Sequence, residues 1–237
     1  MDVLEQHLSR QAERSQDFFW NRLRWELVSG QVGEDCARLV DVGAGPGFLG
    51  EYLARRRPGL EYWFVEPIAE LEARLSERFG AEANRRDRDF EGAGCVTLMD
   101  VLEHQEDDRA FMADLAERMD PGATLLLTVP AMPWLWSGWD AMLGHYRRYT
   151  KRMLREAVTS LPLAIEEEAY LFPELIPLGL VRRLRLREAG EDPGAAEFPD
   201  LSKPVNEALY RVGKASVGLR RVWPAGTSLF ARMRRTG

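Results

Sequence analysis

The sequence predicts an α/β protein built on an open, doubly wound and mainly parallel sheet, and three observations predict it. Short apolar runs alternate with helix-length amphipathic stretches through the N-terminal half of the chain. The first clear run, Leu39-Val-Asp-Val42, passes directly into a turn with glycine at alternate positions, Gly43, Gly45 and Gly47. Two later runs also end on acids, Glu66 and Asp100. Glycine there tolerates positive φ and lets a ligand approach bare backbone. A doubly wound sheet binds its ligand outside the carboxyl ends of its strands. A site for a nucleotide-like ligand is therefore expected along Asp41 to Phe48.

The elements follow in order. Leu4, Leu8, Phe19, Leu23 and Leu27 are spaced for one or two amphipathic helices before the sheet begins. Strands are expected near 37–42, 60–65, 83–86, 94–99 and 122–129, with helices near 47–57, 67–79 and 107–119. The strand at 83–86 has the weakest pattern of the five. Pro121-Gly122 ends the third helix and opens the fifth strand. A sixth strand starts at Leu161 to Ile165 and a seventh spans Thr227 to Ala231. More than fifty residues separate these two, too many for a plain hairpin. The spacing predicts an inserted helical cap: a helix from Leu171 to Glu188, a Gly/Pro/Asp-rich loop at 190–200, and a helix over about 202–221. The chain thus divides into an N-terminal helical cover (1–35), a core (36–170), a cap and acceptor region (171–225) and a final strand (226–237).

Composition narrows the classes. Hydrophobic residues make up 45% of the 237 and charged residues 30%, enough for a large core under an ordinary polar surface. No long uncharged run marks a membrane span, and the polar start Met1 to His7 does not read as a signal peptide. With only Cys36 and Cys95 present, a reducing cytoplasm is the expected location. Cysteine and histidine are too sparse and scattered to suggest a zinc site, so no metal is expected. The net charge of -6 divides into -11 over residues 1–139 and +5 over residues 140–237. That acidity argues against nucleic acid as partner. The basic C-terminal part suits an anion or an anionic surface, or is simply solvated.

The glycines discriminate between ligands. A dinucleotide turn needs glycine at its first, third and sixth positions. Counted from Gly43, the sixth is Phe48. Asp41, Gly43, Gly45 and Gly47 instead match, position for position, an acid, one residue and Gly-x-Gly-x-Gly. The chain here resembles the first motif of class I S-adenosylmethionine-dependent methyltransferases of the small-molecule type (type 11/12-like, akin to the quinone-biosynthesis methyltransferases). Glu66-Pro67 ends the second strand where an acid can accept hydrogen bonds from ribose hydroxyls. Asp100-Val-Leu-Glu-His104 resembles the motif that follows the family's fourth strand.

The resemblance implies a Rossmann-like, doubly wound, seven-stranded sheet with an antiparallel last strand. It implies S-adenosyl-L-methionine as cofactor and S-adenosyl-L-homocysteine as product. The cofactor residues it implies are Asp41, Gly43, Ala44, Gly45, Pro46, Gly47, Phe48, Glu66, Pro67, Asp100, Val101, Leu102 and His104. Asp87 is the candidate adenine contact, beside Arg88 and Asp89. In the family an aromatic-arginine segment such as Phe18 to Arg22 helps to cover the cofactor; packing of those rings on the sheet is an equal reading.

The acceptor side is expected in Pro130 to Thr150, directly after the fifth strand. Trp134, Trp136, Trp139, Asp140, His145, Tyr146, Arg147, Arg148 and Tyr149 crowd this segment. Aromatics offer an apolar wall, arginines can clamp an anion, and a histidine can take a proton near neutral pH. It resembles a Trp-Ser-x-x-Asp…Gly-His-x-Arg-Arg-Tyr-Thr stretch of one bacterial branch of these enzymes. A structural loop locked by Asp140–arginine pairs is the competing reading. The expected reaction is direct in-line methyl transfer to oxygen or nitrogen of a small-molecule or lipid-like acceptor. Alignment supplies most of its rate. His145, then His104, are the candidate bases for a hydroxyl acceptor. The apolar start and arginine-rich end of 171–187 suit a greasy acceptor channel, a peripheral membrane contact or a plain core-facing helix. A nicotinamide-dependent oxidoreductase, a non-catalytic cofactor-binding partner subunit and an aminopropyl transferase are the alternatives. Oligomeric state is not legible.

Overall fold

The sheet is built around Arg38–Val42 (β1). In the computed structural model, which describes residues 18–188 and 201–237, four of its five residues are buried. Both faces of this strand are covered, which is why its apolar run is continuous rather than alternating. It pairs in parallel with Glu61–Val65 (β2) on one side and Cys95–Met99 (β3) on the other. Thr124–Pro130 (β4) continues the parallel set beside β3. Ser228–Arg235 (β6) then lies antiparallel between β4 and Leu163–Leu171 (β5). The six strands run β2-β1-β3-β4-β6-β5, so the winding reverses between β1 and β3. That reversal opens a crevice at the carboxyl ends of these strands.

Among the described residues the seven strands expected from the sequence become six. Residues 83–86 form no strand: Ala81–Ala83 is a single 3₁₀ turn, and Asn84 makes one isolated bridge to Phe64. The physical reason is on both sides of the backbone. Asn84-Arg-Arg-Asp-Arg-Asp89 has no apolar residue to bury. In addition, Arg118 turns the segment inward by donating to the carbonyls of Arg85, Arg86 and Arg88. The expected sixth and seventh strands are β5 and β6, and the last strand is antiparallel as expected.

The helices fall close to their expected places. Phe48–Arg56 (α2), Ala69–Phe79 (α3) and Asp108–Arg118 (α4) connect the parallel strands, preceded by Phe19–Ser29 (α1). Asp107 caps α4 by accepting from the Ala110 N–H. Gly138–Met142 (α5) and Lys151–Ala157 (α6) follow β4. Ile176–Glu188 (α7) and Lys203–Gly218 (α8) come between β5 and β6. The expected helix over 171–188 starts late, because Leu171 still pairs with Ser228 in the sheet. The helical signal at Leu4 and Leu8 and the whole 190–200 loop lie outside the described residues.

The main core is one continuous cluster, with Phe64, Phe90, Phe172 and Phe230 fully buried, and Trp139 and Leu143 form a small cluster apart from it. Each such side chain contributes ~1.5–3 kcal/mol relative to exposure. Helix α8 returns to cover α1. Gly213 sits where a Cβ would stand 2.4 Å from Leu23, so the two backbones approach closely. Asn206 Oδ1 accepts from the Phe19 N–H, satisfying one of the unpaired donors at the start of α1. No helix among the described residues is long and apolar enough to cross a membrane.

Candidate functional site

The crevice is floored by the glycine turn between β1 and α2. Gly43, Gly45 and Gly47 have φ values of 72°, 55° and 80°. At Gly43 a Cβ would also lie 2.4 Å from Val101, and at Gly47 2.4 Å from Leu75. Any side chain there is excluded twice, by conformation and by packing. Gly43 and Ala44 donate to the Val65 carbonyl, tying the turn to the end of β2. Phe48 is the first residue of α2, and Pro46 lies in the turn just before it.

Three acids border this turn, and they differ in environment. Glu66, just past β2, is 2% exposed and accepts from the Gly45 N–H at 2.7 Å and the Ile68 N–H at 2.9 Å. Burial pushes its carboxyl up despite both donors. Pro67 follows it in the link to α3. Asp41 is held between Tyr62 and Thr97, whose hydroxyls donate to its two oxygens at 2.8 and 2.7 Å. Burial raises it to about 6 even so. Asp100, just past β3, has a φ of 57°, an unusual value for a residue other than glycine. It accepts from Thr128 and pairs with Arg24 at 2.7 Å.

Arg24 was not singled out in the sequence, although the aromatic-arginine signal lay only two residues away. Its spacing supplies the missing signal: it falls four residues after Trp20 on α1. Its guanidinium stacks over the Trp20 ring at 4.1 Å and donates to Thr128. Arg24 is 5% exposed, and its Nε carries no hydrogen-bond partner. A buried guanidinium with an unused donor, beside bare glycine backbone, is suited to a carboxylate. Val101 packs on Gly43, and Leu102 is fully buried. Asp87, on the turn that replaces the third strand, is exposed.

The segment after β4 is a closed loop rather than an open arm. Ala131 and Tyr149 form a parallel bridge at its base, and Met132 takes a φ of 61° there. Tyr149 is fully buried and donates to Asp108, which also pairs with Arg147. Arg148 pairs with Asp140 at 2.7 Å and donates to the Ala131 carbonyl. Asp140 is fully buried and also accepts from the Ser137 N–H and from His145 Nδ1 at 3.1 Å. Burial opposes its ionisation, but His145, Arg148 and Ser137 together hold its carboxyl below the usual range. Trp139 is buried against Leu143, whereas Trp134 and Tyr146 are exposed and Trp136 half-buried. Of the polar residues expected to meet an acceptor, Asp140 and Arg148 therefore spend their bonds within the loop, while Arg147 and Tyr149 tie it to Asp108 at the start of α4.

His104 and His145, distant in sequence, meet edge to face with ring centroids 4.7 Å apart. Burial and its neighbour His145 lower His104 to about 4, against a hydrogen bond to the Gly144 carbonyl. Between Asp100 and these rings lies Glu103, which sequence reading passed over. It is fully buried, and both of its oxygens lack a hydrogen-bond partner. Burial and nearby Asp100 push its carboxyl well up. Helix α7 closes over this side: its Gly179 packs on Leu135, and Arg183 donates to the Trp134 carbonyl.

With this geometry in view, the likenesses to other proteins are informative. A family model for a methyltransferase domain matches residues 8–168. A ubiquinone biosynthesis O-methyltransferase of Xanthomonas axonopodis pv. citri is 34% identical over 117 residues, 46% of this chain and 49% of its own. A trans-aconitate 2-methyltransferase of Mycobacterium tuberculosis is 32% identical over 114 residues, 46% of this chain and 43% of its own. The chain thus spans about half the length of the curated relatives it matches. In fold it is similar to phosphoethanolamine N-methyltransferase 2 of Haemonchus contortus, solved with S-adenosyl-L-methionine. That likeness has a TM-score of 0.58 at 18% identity and covers 92% of this chain and 53% of the other.

Proposed function

The chain belongs to the methyltransferase-domain family, and from that premise we propose that it transfers the methyl group of S-adenosyl-L-methionine to a small-molecule acceptor. The observation that carries this reading is the edge where the Gly43–Gly47 turn, Glu66 and the Arg24–Asp100 pair meet. The residues fit the cofactor. Gly43, Gly45 and Gly47 offer backbone without side chains, Glu66 suits the ribose hydroxyls, and the unused Nε–H of Arg24 suits the methionyl carboxylate. Asp100 suits the ammonium group of the same end. Asp41 acts behind the turn, bracing β1 against Tyr62 and Thr97. When bound, the cofactor supplies an electrophilic methyl group on a sulfonium.

The chain's own residues then have two tasks, alignment and exclusion of water. Holding the acceptor in line is worth roughly 7–11 kcal/mol. We assign acceptor contact to Trp136, Tyr146, His104 and His145, under the cap formed by α7 and α8. For a hydroxyl acceptor, His145 is the base. Its Nδ1 is engaged by Asp140, so Nε2 is left to take the proton. A lipid-like acceptor is supported by Leu178, Leu180 and Val181, which α7 leaves exposed. Calorimetric titration with S-adenosyl-L-homocysteine tests the core of the proposal. One-to-one binding is expected; no heat and no thermal protection would refute it. A partner subunit that binds cofactor without turnover would show that heat but transfer no label from methyl-labelled cofactor to any acceptor.

A further inference from the structure

We propose that Glu103, His104 and His145 form a binding site for a divalent transition-metal ion of the zinc or cobalt kind. Each residue offers one ligand atom, and these atoms all lie within 4.8 Å of one another. A tetrahedral ion with bonds of ~2.0–2.2 Å holds its ligand atoms about 3.4 Å apart. Modest side-chain rotations therefore close the cluster on an ion. Sequence reading expected no metal; His104 and His145 follow different strands, and only the fold brings their rings together.

The strongest support is Glu103 itself. A carboxyl group that is fully buried with neither oxygen hydrogen-bonded is an uncommon arrangement. The neighbouring charges do not satisfy it. Arg24 is engaged by Asp100 and Arg148 by Asp140, which leaves both Glu103 oxygens without a bonded partner. A cation between its oxygens and the two rings satisfies all three groups at once. Both imidazoles also carry the outer partners that metal-binding histidines use. Asp140 holds His145 at Nδ1, turning Nε2 outward as the ligand, and the Gly144 carbonyl holds the His104 ring.

Two imidazoles and one carboxylate select borderline transition ions over magnesium or calcium, which prefer all-oxygen shells. Three protein ligands leave at least one position open, and an oxygen of water fits it. If the methyltransferase reading holds, on which this last step rests, the same position suits an acceptor hydroxyl or carboxylate beside the methyl donor; with Nε2 of His145 on the ion, the metal replaces that histidine as the group that favours an ionised hydroxyl. The acceptor class would then be an oxygen nucleophile able to bind a metal.

The test uses the full chain, stripped with a chelator and titrated with Co²⁺ while visible absorption is followed. One equivalent of Co²⁺ giving ligand-field bands, displaced by Zn²⁺, is expected. Glu103→Gln and His145→Gln should each weaken Co²⁺ binding by at least a hundredfold, and Asp140→Asn by about 10–100-fold, with circular dichroism checking the fold of each. Should a variant not fold, the unmodified protein still decides. Zn²⁺ should shift the imidazole nuclear magnetic resonance signals of two of the three histidines. Absence of saturable one-to-one binding, or binding indifferent to these substitutions, overturns the site. Loss of S-adenosyl-L-homocysteine binding with Co²⁺ binding intact would instead refute the methyltransferase reading and leave the metal site standing.

Discussion

At the scale of single residues, the site is defined by how each buried charge is matched. Asp41 titrates near 3.8 when unfolded and at about 6 in the fold, because burial outweighs its two hydroxyl donors. Between those values the native state holds the extra proton. Its contribution to stability therefore falls as pH rises from about 4 to about 6, by ~3 kcal/mol. Asp41→Asn keeps the shape and removes the charge. Urea unfolding should show the variant at least as stable as the parent at pH 8 and with a flatter pH dependence between 4 and 6. Arg24 is the converse case, a buried cation with an acid partner and a spare donor. Arg24→Ala should weaken S-adenosyl-L-homocysteine binding by about 10–100-fold by calorimetry, the value of a charge-assisted hydrogen bond. Lysine should restore only part of it, lacking the planar fork. Much of this was legible: the glycines and Glu66 announced themselves by spacing. Arg24 did not, since a lone arginine on a helical pattern reads as surface until the fold buries it, and Glu103 stood inside the Asp100–His104 motif with nothing to mark its burial.

At the scale of elements, β1, β2, β3 and β4 could be read almost to the residue, because their apolar runs are bounded by glycine, proline or acids. The segment at 83–86 could not. Its lack of apolar residues already made it the weakest of the expected strands, and the other half of its fate, the hold of Arg118 on its carbonyls, comes from far along the chain. The closed loop after β4 offered two readings from its sequence, an acceptor wall and a loop locked by Asp140–arginine pairs, and the pairs Arg148–Asp140, Arg147–Asp108 and Tyr149–Asp108 supply such locks. Helix pairing yields a sharp expectation. Gly213 lets α8 press on Leu23 of α1, so Gly213→Leu should force the helices apart and cost about 1–3 kcal/mol in thermal unfolding. Helix α7 offers another. If Leu178, Leu180 and Val181 meet lipid, the chain should co-sediment with anionic vesicles, and replacing all three by serine should abolish this. No sedimentation of the parent chain would limit those residues to a channel for a free acceptor.

At the scale of the whole molecule, three non-glycine residues with positive φ stand along one rim of the sheet. Asp100, Met132 and Phe172 follow β3, β4 and β5, all at their carboxyl ends. Conformations that cost about 1–3 kcal/mol each are thus spread along the rim on which the crevice opens and held there by the packed core. The sheet's other irregularity lies in its order. Strand β5 is paired with β6 alone, and β6 is wedged between β5 and β4. During synthesis the ribosome therefore delivers β1 to β4 as a set that can zip together at once, while β5 emerges to find no neighbour. It must wait, with its edge bare, until both cap helices and residues 228–235 have followed. The nascent chain passes through a stage in which the cofactor floor can already form while the roof above it has nothing to rest on.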